Sequence, residues 1–222
     1  HDYHAIANSF PGGVVAENGN EDDGWATGFT YLLPHIEQTA VQSLYNFDVY
    51  WYDTGNNAAV AQEIKLFFCP SNRSQGGMFL APIGAMWGCP LPPYAAGADY
   101  AFCKGTNAGI MAAPELVRGD TKGAFGIVPR IDGQVSGTVR IVEILDGTSN
   151  TFAMGEAAGG SNQFQVRDLA NPSKPANDPF TGQPALLDQS WSATGFSDAS
   201  HPWYAGVLGV TAQYGIAPNF DD

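Results

Sequence analysis

The stretch ILDGTSNTFAMGE, residues 144–156, sets an acid, a glycine, hydroxyls, an amide and a second acid close together between Asp146 and Glu156. Read as chemistry, it offers Ser149 as a nucleophile, which needs a base within hydrogen-bond reach. The histidines His1, His4, His35 and His201 all lie far from it in sequence, none in a motif that aims it at Ser149, and no GxSxG elbow occurs. Read as folding grammar, the same residues have an immediate use. Asp-Gly is a turn signal between strands, and Asp, Ser, Thr and Asn side chains bond neighbouring backbone groups in sharp turns. The run Asp146, Gly147, Thr148, Ser149, Asn150 and Thr151 therefore predicts a structural turn, entered by a strand at TVRIVEIL (138–145) and left by another at NTFAMGEAAGG (150–160). In the first of these, Val139, Ile141, Ile144 and Leu145 flank Arg140 and Glu143, an incomplete alternation that suits a sheet with one covered face.

Working outward, ADYAFCKG (98–105) and GAFGIV (123–128) also read as strands, as does KLFFCPS (65–71), an apolar run ended by proline. SWSATGF (190–196) and YAGVLGVTAQYG (204–215) read as late, partly buried strands. The strongest helical period lies in WATGFTYLLPHIEQTAVQSLYN (25–46), through Leu32, Leu33, Ile36, Ala40, Val41 and Leu44, with Pro34 near its first turn. A shorter helix is predicted over 57–64. HDYHAIANS (1–9) has Tyr3, Ile6 and Ala7 on one face and is stopped by Phe10-Pro11-Gly12-Gly13, so it reads as the end of a helix. Residues 75–97 and 169–183 are rich in Gly, Pro or Asn and read as long loops.

Nine basic against 22 acidic residues give 9 − 22 = −13, a field that repels phosphate backbones and anionic lipid headgroups. On that ground nucleic-acid and membrane-surface binding are not expected unless the fold gathers a basic patch. Seven of the nine basic residues fall between Arg73 and Arg167, whereas residues 1–65 carry nine acids and one base, an asymmetry able to attract one end of a subunit to the other end of a neighbour. Charged residues make up only 14%, against about 25% in an average soluble domain. With 27 Gly and 15 Pro, this is the profile of an exported or surface-displayed globular protein. The chain opens at His1 without a Met, as a processed chain or one numbered inside a longer precursor would. Its three cysteines, Cys69, Cys89 and Cys103, form no CxxC, and their spacings are too open for a zinc site. A structural disulfide with one thiol left over, or a bridge to a partner outside the chain, fits better. The acidic run ENGNEDDG (17–24) fails the EF-hand spacing, since the twelfth position from Asn18 is Phe29. Carboxylate pairs such as Asp22 with Asp23, or Glu37 with Glu143, are selected by no spacing, so no catalytic residue is assigned.

Five ordered stretches carry a resemblance. DGTSNTFAMGE resembles the DGTSNT…GE signature of the planctomycete DUF1559 family, whose precursors carry a prepilin-type N-terminal cleavage and methylation segment. YHAIANSFPGG is similar to the family's NYHD…FPPGG end of a long pilin helix, GWATGFTYLLPHIEQTAVQSLYN to its W…LLPYIEQ…LY block, FFCPSNRS to its F.CPS turn, and ADYAFCKG to its DYA…G strand. The likeness covers most of residues 1–156 and thins after Ala157. The apolar half of the pilin helix is absent, and His201-Pro202 begins like the family's C-terminal HPGG…DGSV element with no DG after it.

The resemblance implies an α+β fold: a single type IV pilin-like head over residues 1–222, its N-terminal helix truncated to residues 1–10 and packed on an antiparallel sheet, with loop insertions at 75–97 and 169–185. It implies a non-catalytic structural subunit, pilin- or pseudopilin-like, of a cell-surface filament or of a type IV pilus or type II secretion apparatus. Such a protein is extracellular, faces the periplasm before assembly, partners copies of itself or other pilin-like subunits, and meets a membrane only through a helix absent from this chain. Family members often carry a cysteine on that helix. Pairing of Cys69 with it would leave Cys89 and Cys103 to bridge each other. No cofactor is implied except calcium, which pseudopilins hold in head-domain loops; the oxygen ligands on offer are Asp146, Asn150 and Glu156, or Glu21, Asp22 and Asp23. A rival reading is a glycan- or solute-binding module, in which exposed rings at Trp51, Trp87, Trp191 and Trp203, with Tyr52 and Tyr204, stack on sugar.

Overall fold

The computed structural model describes residues 2–17, 20–88, 90–103 and 123–160, with shorter pieces at 171, 173–175, 177, 182–184, 188–193 and 211–212. The chain opens with helix α1 (Asp2–Ala7), none of whose residues is buried. It stops at Asn8, whose φ of 54° leaves the helical region, and Phe10 N–H then bonds the Val139 carbonyl at 2.8 Å. β1 (Val14–Glu17) and β2 (Asn20–Thr27) form an irregular antiparallel pair. Two short helices follow, α2 (Gly28–Leu32) and α3 (Thr39–Leu44), and then α4 (Asn57–Val60). β3 (Gly77–Phe79), α5 (Ala81–Trp87) and β4 (Tyr94–Ala96) precede β5 (Tyr100–Cys103). β6 (Ile127–Ile131), β7 (Gln134–Val135), β8 (Met154–Glu156) and β9 (Thr211–Ala212) complete the strands.

These strands make three small sheets, ordered β2-β1-β6-β7, β3-β4 and β8-β5-β9. The architecture is α+β. Most pairings are antiparallel, but β1 with β6 and β5 with β9 run parallel, so the sheets are mixed. β1 sits between two strands and its Val14, Val15 and Ala16 are all buried, which is why it reads as a continuous apolar run. An aromatic chain fills the core: Phe29 packs on Phe67 and Phe102, Phe102 on Phe125, and Phe67 on Trp191. The chain approaches itself so closely at Gly28 that a Cβ there would stand 2.7 Å from the Phe102 ring.

Several sequence expectations are corrected. The helix predicted over 25–46 is interrupted. Its first residues end β2, and Glu37, at φ 63°, separates the 3-10 turn Leu33–Ile36 from α3. Of the predicted apolar period, Leu33 is buried and Leu32, Ile36 and Val41 pack partly against the core, but Leu44 is 48% exposed. KLFFCPS is no strand: Lys65–Phe67 is a 3-10 turn that buries Phe67 while leaving Leu66 exposed. Residues 75–97, expected as an irregular loop, contain a paired hairpin, β3 with β4, around α5. TVRIVEIL is not a strand either, because a capping box closes it into the 3-10 turn Ile141–Glu143, Glu143 Oε2 accepting from the Arg140 N–H at 2.7 Å. In the 169–185 stretch, Asn177 and Pro184 form an isolated antiparallel bridge. Among the described residues no helix is long and apolar enough to cross a membrane.

Candidate functional site

The DGTSNT segment folds as a 3-10 turn, Thr148–Asn150, entered through Gly147 at φ 80° and ψ 145°. Two of its polar side chains bond its own backbone. Asn150 Nδ2 donates to the Asp146 carbonyl at 2.9 Å and Thr151 Oγ1 to the Gly147 carbonyl at 3.1 Å. The Gly147 N–H bonds the Ile144 carbonyl, and the Asn150 N–H bonds Gly147. Residues 145–150 are all exposed. Of the proposed calcium ligands, Asp146 and Asn150 thus share this turn, whereas Glu156 lies in β8 opposite Tyr100. Among the described residues no three His, Cys, Asp or Glu side chains gather as a metal-holding group. The side chains of Glu21, Asp22 and Asp23 lie outside the described residues.

Around the turn, large apolar side chains stand in solvent. Val142 is 73% exposed, Leu145 91% and Phe152 66%, with Ile141 and Met154 partly exposed beside them in the sequence. On the other side of this segment, His4 of α1 accepts from the Ile141 N–H at 3.3 Å, and Ile144 packs against the core. The 3-10 geometry explains the division. Ile144 packs against the core while Val142 and Leu145, three residues apart and so on one side of such a turn, stay exposed.

A second constellation, not anticipated from the sequence, is buried. The Cys69–Arg73 turn aims Arg73 at two carboxylates: Nε meets Asp99 Oδ1 at 2.8 Å, and the terminal nitrogens meet Asp188 Oδ2 at 2.8 Å and Oδ1 at 2.5 Å. Asp99 is fully buried and also accepts from the Cys69 N–H and Asn72 Nδ2. Phe68 lies under the guanidinium, 5.2 Å from it. Burial acts to lower the Arg73 pKa, but hydrogen bonds and charge contacts with Asp188 and Asp99 outweigh it and raise the pKa above its ordinary value. Each carboxylate is already bonded by donors of the chain, so the cluster is built to tie segments together. The signal available in the sequence was that CPSNR and ADY both fall in the recognised motifs; which acid the arginine would meet was not readable.

The aromatic residues divide differently from expectation. Trp51 and Trp191 are 1% and 0% exposed, and Trp191 Nε1 donates to the Gln62 carbonyl at 3.0 Å, so both are core residues with no face to offer a sugar. The Trp87 side chain and Trp203 lie outside the described residues. The half-exposed rings Trp25, Tyr50 and Tyr52 stack on one another instead, with Arg130 3.7 Å above Trp25. Cys69 and Cys103 are buried, and Cys69 Sγ lies 3.0 Å from Ser71 Oγ. No disulfide joins described residues, and Cys89, the other half of the proposed bridge, lies outside them.

No curated protein and no solved structure matches the chain. The family model described as "Protein of unknown function (DUF1559)" matches residues 1–218, nearly the whole length. It spans the turn, the apolar strip and the Arg73 cluster alike, and the chain belongs to the DUF1559 family.

Proposed function

We propose that the chain is a non-catalytic assembly subunit, the pilin- or pseudopilin-like head of a cell-surface filament or secretion-type apparatus, working outside the cell. The observation that carries this reading is the apolar strip at Val142, Leu145 and Phe152. Large apolar side chains left exposed in one segment are a usual mark of a protein-binding surface. The chemistry nearby points the same way. The side-chain donors of Asn150 and Thr151 are used up in holding the turn, which presents the strip and leaves these groups no catalytic task. Electron microscopy of the native material, with immunogold labelling of this chain, tests the reading. Labelled ordered filaments are the expected result. Label confined to dispersed monomers would refute it.

A further inference from the structure

We propose that helix α1 is latched to the body of the fold by a neutral His4 and is released when that imidazole takes up a proton. The latch is independent of the assembly reading. Three observations carry it. First, none of the residues of α1 is buried, so the helix has no core contact of its own and its position depends on individual side chains. The Tyr3 ring meets the His35 ring edge-on at 5.6 Å, the His4 ring lies 5.3 Å from that of Phe10, and His4 Nε2 accepts from the Ile141 N–H at 3.3 Å. Second, this last bond fixes a protonation state. A ring nitrogen accepts only while it carries no proton, and an imidazolium ion has no such nitrogen. The docked arrangement therefore requires the neutral ring with its proton on Nδ1.

Third, the donor needs this partner. Ile141 opens the 3-10 turn Ile141–Glu143, and the first amides of a helical turn have no carbonyl within it to bond. The capping box meets the amides of Arg140 and Glu143, and that of Ile141 goes to His4, 137 residues away. Imidazole changes charge between about pH 5 and 8. A protonated ring would set a second N–H against the Ile141 N–H, losing the bond and adding a repulsion. The docked helix thus binds fewer protons than the released one, so docking is strongest above that window and weakens as pH falls through it. The charged groups nearby leave this direction unchanged. Asp2, on the same helix, favours the charged ring in the docked and the released helix alike. On the facing segment Arg140 and Glu143 pair with each other at 3.4 Å. Phe10 carries no charge, Tyr3, its pKa raised by burial, stays neutral in acid, and His35 meets Tyr3.

The test is nuclear magnetic resonance of the isotopically labelled full chain, titrated from about pH 8 to about pH 5. The cross-peak between the Tyr3 and His35 rings reports docking, and the Ile141 amide proton reports the bond. In wild type both are expected to change with the midpoint of the His4 ring, the cross-peak falling to about half or less and the amide moving upfield as its bond is lost. His4→Gln keeps an acceptor at every pH and should stay docked throughout. His4→Lys offers only donors, and its cross-peak should be weak already at the alkaline end. Because no residue of α1 is buried, neither variant opens the core. A wild-type helix that stays docked to the acid end, or a His4→Lys variant docked as firmly as wild type at the alkaline end, would overturn the proposal. So would a His4→Gln variant that still releases in acid, which would assign the switch to His35.

Discussion

Arg73 holds carboxylates that lie 26 and 115 residues away in the chain. Its worth is set less by the ion pairs it makes than by what its loss would strand: Asp99, fully buried, would keep its backbone and Asn72 donors but lose its only counter-charge among the described residues. Breaking a buried pair from one side costs about 3–5 kcal/mol. Arg73→Met should therefore lower the unfolding free energy by about that amount in equilibrium urea titrations. Arg73→Lys should lose less, because a point charge can serve one carboxylate but cannot fork between two. A Met variant within about 0.5 kcal/mol of wild type would show the cluster to be energetically idle. The arginine and its turn were visible in the sequence as part of CPSNR. Its partners were not, because nothing local to residues 69–73 records that residue 188 returns beside them.

At the scale of the element, the DGTSNT turn shows local chemistry deciding local structure. Gly147 sits at φ 80° and ψ 145°, and open space surrounds the position a Cβ would take. Any cost of substitution there is backbone strain alone. Gly147→Ala should destabilise the turn by about 1–3 kcal/mol, read as faster amide exchange at Asn150 and a lower thermal midpoint; an unchanged midpoint and exchange rate would show that the turn tolerates the strain. The preceding segment teaches the opposite lesson. TVRIVEIL has the composition of a strand, yet the bond from the Arg140 N–H to Glu143 closes it into a turn. A reciprocal cap three residues apart was legible in principle from Arg140 and Glu143, but β-branched content outweighed it in the reading.

For the whole molecule, burial of the tyrosines governs behaviour in alkali. Burial pushes the Tyr31 hydroxyl up to about 12, and it raises Tyr45, whose hydroxyl donates to the Trp25 carbonyl at 2.6 Å, further still. Both are held neutral in the folded state at pH values where the unfolded chain ionises them. Their contribution to stability is thus fully present below about pH 10, the unfolded value, and is lost as pH rises through 10 towards 12. Spectrophotometric titration of the native protein should show tyrosinate absorbance lagging behind that of the urea-unfolded chain across this window, with stability falling in step. Superimposable titrations would contradict the burial.

By itself the sequence determined the Asp-Gly turn, a helix stopped ahead of Phe10-Pro11-Gly12-Gly13, the strand at β5, the anionic balance and the family motifs. Each of these is set by neighbours a few residues apart or by composition. Tertiary structure alone decided that Trp51 and Trp191 are core residues, that β1 lies parallel to β6, that Arg73 joins Asp99 to Asp188, and that Val142 and Leu145 are left outside. A side chain's fate depends on which distant surface closes over it. Packing between segments as far apart as residues 73 and 188 is a property of the assembled fold, and no window of sequence contains it.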